Sequence, residues 1–313
     1  MIKYLLFRFI WLFGAWFFIL SLVFFMLEYA LWDYYPSPLT FWQFLEGAAK
    51  DYWVFLTDIV VEWEWGEDNI EGVPNMELFQ ETAPFTMRIV GFTMVFSIIM
   101  GIAIGLFLAR IAGSKADSVI QTFMMIFAAV PNYIWLFIFI IIFGFLRPVL
   151  PWYWPFESEP SHVRFAGYII PVGALSFVPI TRFAILIRGE TIESFQNGYV
   201  DLLRAKGMSR SQILFRHLIR DSLYPILPVF ATTFIFVLTS SFLIEQIYKI
   251  PGVSILLFRS LFKPFMDMYY FRVDIQITTL VSGFYLGLAL LSVIFADIIL
   301  MIIDPRVRMH KNA

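Results

Sequence analysis

The chain is 313 residues long, 60% hydrophobic and only 15% charged, with a formal net charge of −2 and no cysteine. Soluble domains run near roughly 45–50% apolar and about 25% charged, so a water-soluble globule is excluded and lipid is the solvent. The missing cysteine excludes disulfides and thiolate metal sites.

A bilayer core about 30 Å thick takes roughly 20 helical residues at about 1.5 Å each. Lys3 and Arg8 precede the first uncharged apolar stretch, 9–27, which is long enough to span and is followed by no small-residue cleavage site. It reads as a retained first helix that also directs insertion. The segment 28–86 comes next, with 12 acidic residues and one basic residue, Lys50, between Glu28 and Glu81. Its apolar stretches 41–44 and 53–61 and the turn Gly72-Val73-Pro74 predict short helices. These form either a cap over the bundle or a docking surface for an extracellular partner. Five more uncharged spans follow at 89–109, 119–146, 165–181, 222–244 and 275–296. The fourth must extend past Arg182 through 187 and the sixth past Asp297 through 303, which puts both ionisable groups near one membrane face. An Arg182–Asp297 pair and snorkelling to the interface are the two readings. Pro131, Pro171, Pro179, Pro225 and Pro228 fall inside spans three to five and predict bends, as ordinary kinks or as a moving gate.

Charge sets the sides. The 188–220 loop carries six basic residues, the link after span two carries Arg110 and Lys115, and the tail carries Arg306, Arg308 and Lys311. Six spans put both termini on the side of these loops, and the positive-inside rule makes that side the cytoplasm. The segments 28–86, 147–164 and 245–274 then lie outside. The expected fold is an all-α polytopic membrane protein with six transmembrane helices and cytoplasmic N- and C-termini. Its expected organisation is 1–27, tail and first helix; 28–86, acidic extracytoplasmic segment; 87–308, a five-helix core with the cytoplasmic loop 188–221; and 309–313, a cytoplasmic tail.

That loop reads as helix, turn, helix. Residues 199–206 have apolar positions at Val200 and Leu203, and Gly207 ends the run as a helix C-cap does. Ser209 can cap the next helix, with Ile213, Leu214, His217 and Leu218 along one face. A stiff, basic helix pair suits docking into a groove on another protein. His217 has no carboxylate cluster near it in sequence and reads as a packed helix residue rather than a proton carrier. No Gly-x-x-x-x-Gly-Lys-Ser/Thr run occurs, so any ATP hydrolysis belongs to another polypeptide. No His/Asp/Glu cluster has metal-ligand spacing.

The run Tyr199-Val200-Asp201-Leu-Leu-Arg204-Ala205-Lys206-Gly207, with His217 ten residues on and Pro225 eighteen on, resembles the cytoplasmic "EAA" loop of ABC-importer permeases, type I in fold. The dipeptide/oligopeptide/nickel subgroup is the nearest likeness. The run Glu245-Gln-Ile-Tyr-Lys-Ile-Pro251-Gly252 resembles that subgroup's outer loop after span five, and Asp297 with Asp304-Pro-Arg-Val-Arg308 resembles its closing pattern. Lys3-Tyr-Leu-Leu-Phe-Arg8 and the long outer segment are similar to the B-type oligopeptide permease. The family's Glu-Ala-Ala is Asp201-Leu202-Leu203 here, and Tyr34-Tyr-Pro-Ser-Pro stands where the family has Pro-Gly-Asp-Pro.

The resemblance implies a non-catalytic subunit in a prokaryotic cell membrane that imports oligopeptides by alternating access. Its implied partners are a second, homologous permease subunit forming a heterodimer, two cytoplasmic ATPase subunits holding ATP and Mg, and an extracytoplasmic peptide-binding protein. No nucleic acid is implied. A coupling helix near 198–207 would sit in an ATPase cleft, with Gly207 making the turn and Arg204 and Lys206 giving charge-assisted contacts. Arg182, Glu245, Pro251, Gly252, Asp297 and Asp304 are structural or gating candidates, and Tyr133, Trp135, Thr232, Thr233, Thr239 and Ser240 could touch a peptide backbone. The alternatives are the same permease class acting on a dipeptide, nickel or another small solute, and an ATP-independent secondary transporter, which calls for mid-bilayer carboxylates or repeats.

Overall fold

The structure is a computed structural model that describes residues 2–31, 40–62, 64–67, 72–156, 158–219, 223–265, 268–271 and 273–303. The expected site residue Asp304 and the basic tail lie outside the described residues. The chain forms two units, one of residues 1–87 with 250–291 and one of 88–249 with 292–313.

In the first unit, α1 (Ile2–Ala30) is apolar nearly all round. Its Trp16 Nε1 donates to the Gly283 carbonyl at 3.0 Å, at a position where a side chain would crowd Leu20. Helix α2 (Phe41–Thr57) begins with a capping box. The Thr40 side chain accepts from the Gln43 N–H, and Gln43 accepts from the Thr40 N–H at 3.0 Å. Phe24 packs on Phe55 with ring centroids 4.8 Å apart, and Ser21 shares a 2.5 Å hydrogen bond with Tyr52. Helix α3 (Asn75–Arg110) starts in this unit, well before the expected 89. Glu77, Glu81 and Pro84 hid the start, because a helix can run past the apolar boundary where its charges meet water. The unit's core is Ala83, Val253, Leu256, Ile277 and Val281.

The second unit runs through the rest of α3, α4 (Lys115–Ala129), α5 (Asn132–Phe139), α6 (Ser161–Ala166), α7 (Ile169–Ser194), α8 (Gly198–Ala205), α9 (Arg210–Ile213) and α10 (Ile226–Tyr248). Beyond it the chain returns to the first unit with α11 (Val253–Leu261) and a hairpin of β1 (Phe262–Phe265) and β2 (Met268–Phe271), in which Phe262 faces Phe271. It ends in α12 (Ile275–Ile303). The fold is all-α apart from that hairpin.

Helices α3 and α7 approach closely because Gly101 and Gly105 remove two side chains from one face. A Cβ at Gly101 would sit 2.5 Å from the Phe183 Cβ, and one at Gly105 would sit 2.7 Å from the Ala184 carbonyl oxygen.

Among the described residues, five helices are long and apolar enough to cross a membrane, and a sixth span exists if the bent pair α4–α5 is one crossing. The expected span 119–146, with its bend at Pro131, is broken there, and its two halves meet at 97°. Pro131 has no N–H, so the Phe127 carbonyl four residues back loses its helical donor. The Trp135 indole supplies one instead, at 2.9 Å. Trp135 also stacks on Phe177 with centroids 4.4 Å apart, and Phe139 packs beside both. These rings hold the bend. Three other expected bends are corrected. Pro171 lies in the first turn of α7, Pro225 caps α10 and Pro228 lies in its first turn. First-turn N–H groups have no intrahelical acceptor, so proline there starts a helix rather than kinking it. Pro179 is the proline inside α7.

Candidate functional site

The loop after α7 folds into a compact elbow. Helix α8 buries Val200 and exposes Tyr199, Leu202, Arg204, Ala205 and Lys206. Asp201 accepts from Arg204 at 3.1 Å across one turn of exposed surface. The helix ends in a Schellman motif, in which the Gly207 N–H reaches the Arg204 carbonyl at 2.9 Å and the Met208 N–H reaches the Leu203 carbonyl at 3.2 Å. Gly207 takes φ +78°, where a Cβ is costly, though nothing lies within 4 Å to clash with one. Ser209 then opens α9 with a capping box to Gln212. A π-helical turn, Leu214–Leu218, continues it and carries half-buried His217, while Ile213, Leu214 and Leu218 are buried.

Two contacts anchor the elbow within its unit. Arg210 donates to the Ala109 carbonyl at 3.2 Å and lies over the Phe195 ring at 5.0 Å. Arg188, near the end of α7, grips Asp117 with both arms of its guanidinium, at 2.9 and 2.6 Å. Asp117 also accepts from the Gly113 N–H at 3.0 Å and from Gln121 at 2.8 Å. This buried carboxylate stands in the first turn of α4 behind its N-cap Ser114, where a negative charge also suits the helix dipole.

Sequence reasoning missed Asp117 as a site residue. The signal was present as an acid three residues after a serine at a helix start, on an otherwise basic side of the chain. The elbow's exposed residues include Tyr199, Leu202 and Phe215 and the cations Arg204, Lys206 and Arg216.

The remaining candidates are dispersed. Arg182 donates to Thr233 Oγ1 at 3.3 Å and lies 6.0 Å over the Phe236 ring. It is placed there rather than in an ion pair with Asp297, which is half-buried on α12. The reason is local: Arg182, on α7, faces α10, and the aromatic ring and hydroxyl it meets there satisfy part of its shell. Glu245 is buried in the last turn of α10, whose end is fixed by Lys249 in the left-handed region at φ 58°. Pro251 and Gly252 form the turn into α11, with the Gly252 N–H on the Ile250 carbonyl at 2.7 Å. Of the expected backbone-contacting groups, Tyr133 and Ser240 share a cavity at the α4–α5 break. Trp135 is occupied with the Phe127 carbonyl, and Thr232 and Thr239 bond to their own helix.

Comparison with known proteins places these features. Residues 101–309 match the model of a family described as binding-protein-dependent transport system inner membrane component. The chain is 27% identical over 322 residues to the dipeptide transport system permease protein DppB of Lactococcus lactis, covering 99% of this chain and all of that one. It is 25% identical over 233 residues to the oligopeptide transport system permease protein OppB of Haemophilus influenzae, covering 74% of this chain and 71% of that one. In structure it is similar to a chain of the MetNI methionine ABC transporter in an inward-facing conformation, with a TM-score of 0.58 and 16% identity, over 73% of this chain and 97% of that one.

Proposed function

The chain belongs to the family of binding-protein-dependent transport system inner membrane components, and from that membership we propose that it is the membrane-spanning subunit of an ATP-driven peptide importer, with oligopeptides as cargo. It is a multi-pass protein of the cell membrane. The observation that carries the reading is the correspondence with a dipeptide permease along 99% of the chain.

On this reading the exposed elbow face, with Tyr199, Leu202, Arg204, Lys206 and Phe215, docks into a cytoplasmic ATPase that holds ATP and Mg. Closure of two such ATPases rocks this subunit and a second, homologous permease between inward- and outward-open states. An extracytoplasmic binding protein delivers the peptide. Gly207 sets the elbow's angle, and the Arg188–Asp117 and Arg210–Ala109 contacts pass its displacement to the membrane helices.

The test is purification of the tagged chain from its native membranes, followed by reconstitution into vesicles. Two ATPase polypeptides should co-purify, and the vesicles should take up labelled peptides of two to six residues only with ATP and the binding protein. Uptake driven by an ion gradient without ATP, or an ATP-dependent complex that moves nickel and no peptide, would overturn it.

A further inference from the structure

The α4–α5 break borders an open pocket of about 350 Å³ within the second unit. It lies at the lower end of the size range for small-molecule sites, enough for a short stretch of chain rather than a whole oligopeptide. Its lining carries no ionisable acid or base, apart from the Tyr133 phenol. Its polar groups come from the break itself. Pro131 stops the helical ladder, and among the described residues no hydrogen bond reaches the carbonyls of Ala128, Ala129 and Val130. Only the Phe127 carbonyl before them is satisfied, by Trp135.

An independent observation lies beside these carbonyls. Asn132 lines the same cavity, is 8% exposed, and its Oδ1 accepts no hydrogen bond. Ser240 adds a hydroxyl from α10. A buried amide without a partner costs free energy, and a cluster of such groups in an apolar wall needs a reason.

We propose that this break is a cargo-contact site, in which Asn132, the Ala128–Val130 carbonyls and Ser240 hydrogen-bond the backbone amides of a passing peptide. The inference rests on the importer reading and deepens it. Three considerations select this ligand. The groups left without a partner, three backbone carbonyls and the Asn132 Oδ1, are acceptors in a mostly apolar wall, so they call for N–H donors. The lining lacks a formal charge, so it suits a neutral amide rather than an ionised side chain or a free terminus. Its groups read the backbone that every peptide shares, so the site accepts many sequences.

The test compares two probes in vesicles holding the complete complex: tetra-alanine, and tetra-alanine methylated on its peptide nitrogens. The quantity read is the ratio of their ATP-dependent uptake rates. Any discrimination by the binding protein is common to all variants and cancels. Asn132→Ala should shrink the wild-type ratio by roughly threefold to tenfold, the worth of one neutral hydrogen bond. A structural defect would slow both probes and leave the ratio in place.

A ratio unchanged in Asn132→Ala overturns the inference alone, and marks the cavity as filled by water. Wild-type vesicles that take up neither probe overturn the importer reading and this inference with it. Should Asn132→Ala fail to assemble, a photoreactive benzophenone at Leu243, on the cavity rim, replaces it. Cross-linking to labelled tetra-alanine during turnover supports the site, and cross-linking to lipid alone overturns it.

Discussion

The Asp117–Arg188 contact gives the sharpest prediction about how the elbow is fixed. The Asp117 side chain is 2% exposed and that of Arg188 is 22% exposed, and two hydrogen bonds of 2.6 and 2.9 Å join them. Exposed ion pairs contribute about 0–1 kcal/mol, but removing one partner of a buried pair costs about 3–5 kcal/mol because the other charge is stranded. Arg188 keeps some contact with solvent, so Asp117→Ala should fall at the low end, about 3 kcal/mol. Asp117→Asn keeps an acceptor for the Gly113 N–H and for one guanidinium N–H but loses the charge, and should cost about half as much. Arg188→Lys keeps the charge and loses the fork, and should cost about 1–2 kcal/mol. The double variant Asp117→Asn with Arg188→Gln should cost less than the sum of its singles, with a coupling energy of about 2 kcal/mol. The assay is unfolding of the purified chain in mixed micelles by SDS titration, followed by tryptophan fluorescence. If Asp117→Ala and Asp117→Asn both lie within about 0.5 kcal/mol of wild type, the pair is not a buried clamp and the argument for a fixed elbow fails.

Three further predictions use the same titration. Gly101→Val and Gly105→Val should each destabilise by about 2–4 kcal/mol, since the added carbons collide with Phe183 and with the Ala184 backbone, whereas Gly91→Ala, with nothing within 4 Å, should stay within about 0.5 kcal/mol. Gly207→Ala should cost about 1 kcal/mol from its positive φ alone, and should lower peptide uptake per ATP hydrolysed by misaligning the elbow; an uptake-to-hydrolysis ratio equal to wild type would contradict this. Trp135→Phe keeps the stacking on Phe177 and removes the donor to the Phe127 carbonyl, so it should cost about 1–2 kcal/mol, and a neutral result would mean the carbonyl finds another donor.

What the sequence disclosed follows from how local each signal is. The elbow was legible because its determinants are neighbours in the chain: Gly207 at C′, Ser209 with Gln212 as a capping box, and basic residues spaced along one short loop. Span positions were legible from hydropathy, because a run of apolar residues is a local signal. The Asp117–Arg188 clamp was not, because its partners are 71 residues apart and each is unremarkable alone. Pro131 announced a break but not its size. The 97° bend depends on Trp135 capping Phe127 and stacking on Phe177, a tertiary arrangement that no local pattern encodes. The Gly101-x-x-x-Gly105 spacing was readable as a packing face, although nothing in α3 itself says that α7 is what packs there.

On the importer reading, these contacts set the route by which a displacement of the elbow would travel through the second unit. Helices α3 and α7 pack closely at Gly101 and Gly105, where no side chain could be added without collision, and close-packed contacts hold one arrangement or jump to another rather than deform. Helix α4 differs at both ends. Its start is tied through Asp117 to Arg188, one turn and a half before the elbow begins, so a displacement of the elbow reaches α4 directly. At its other end the helical ladder stops at Pro131, and the Trp135–Phe127 hydrogen bond and the Trp135–Phe177 stack bridge the break. On the importer reading, a displacement of α4 is therefore passed on to α5 and α7 through the ring-held break rather than absorbed there. The cavity holding Asn132 sits at that break. Force applied at the clamp would therefore reach the cavity lining along α4, at the place where the proposed cargo contact lies.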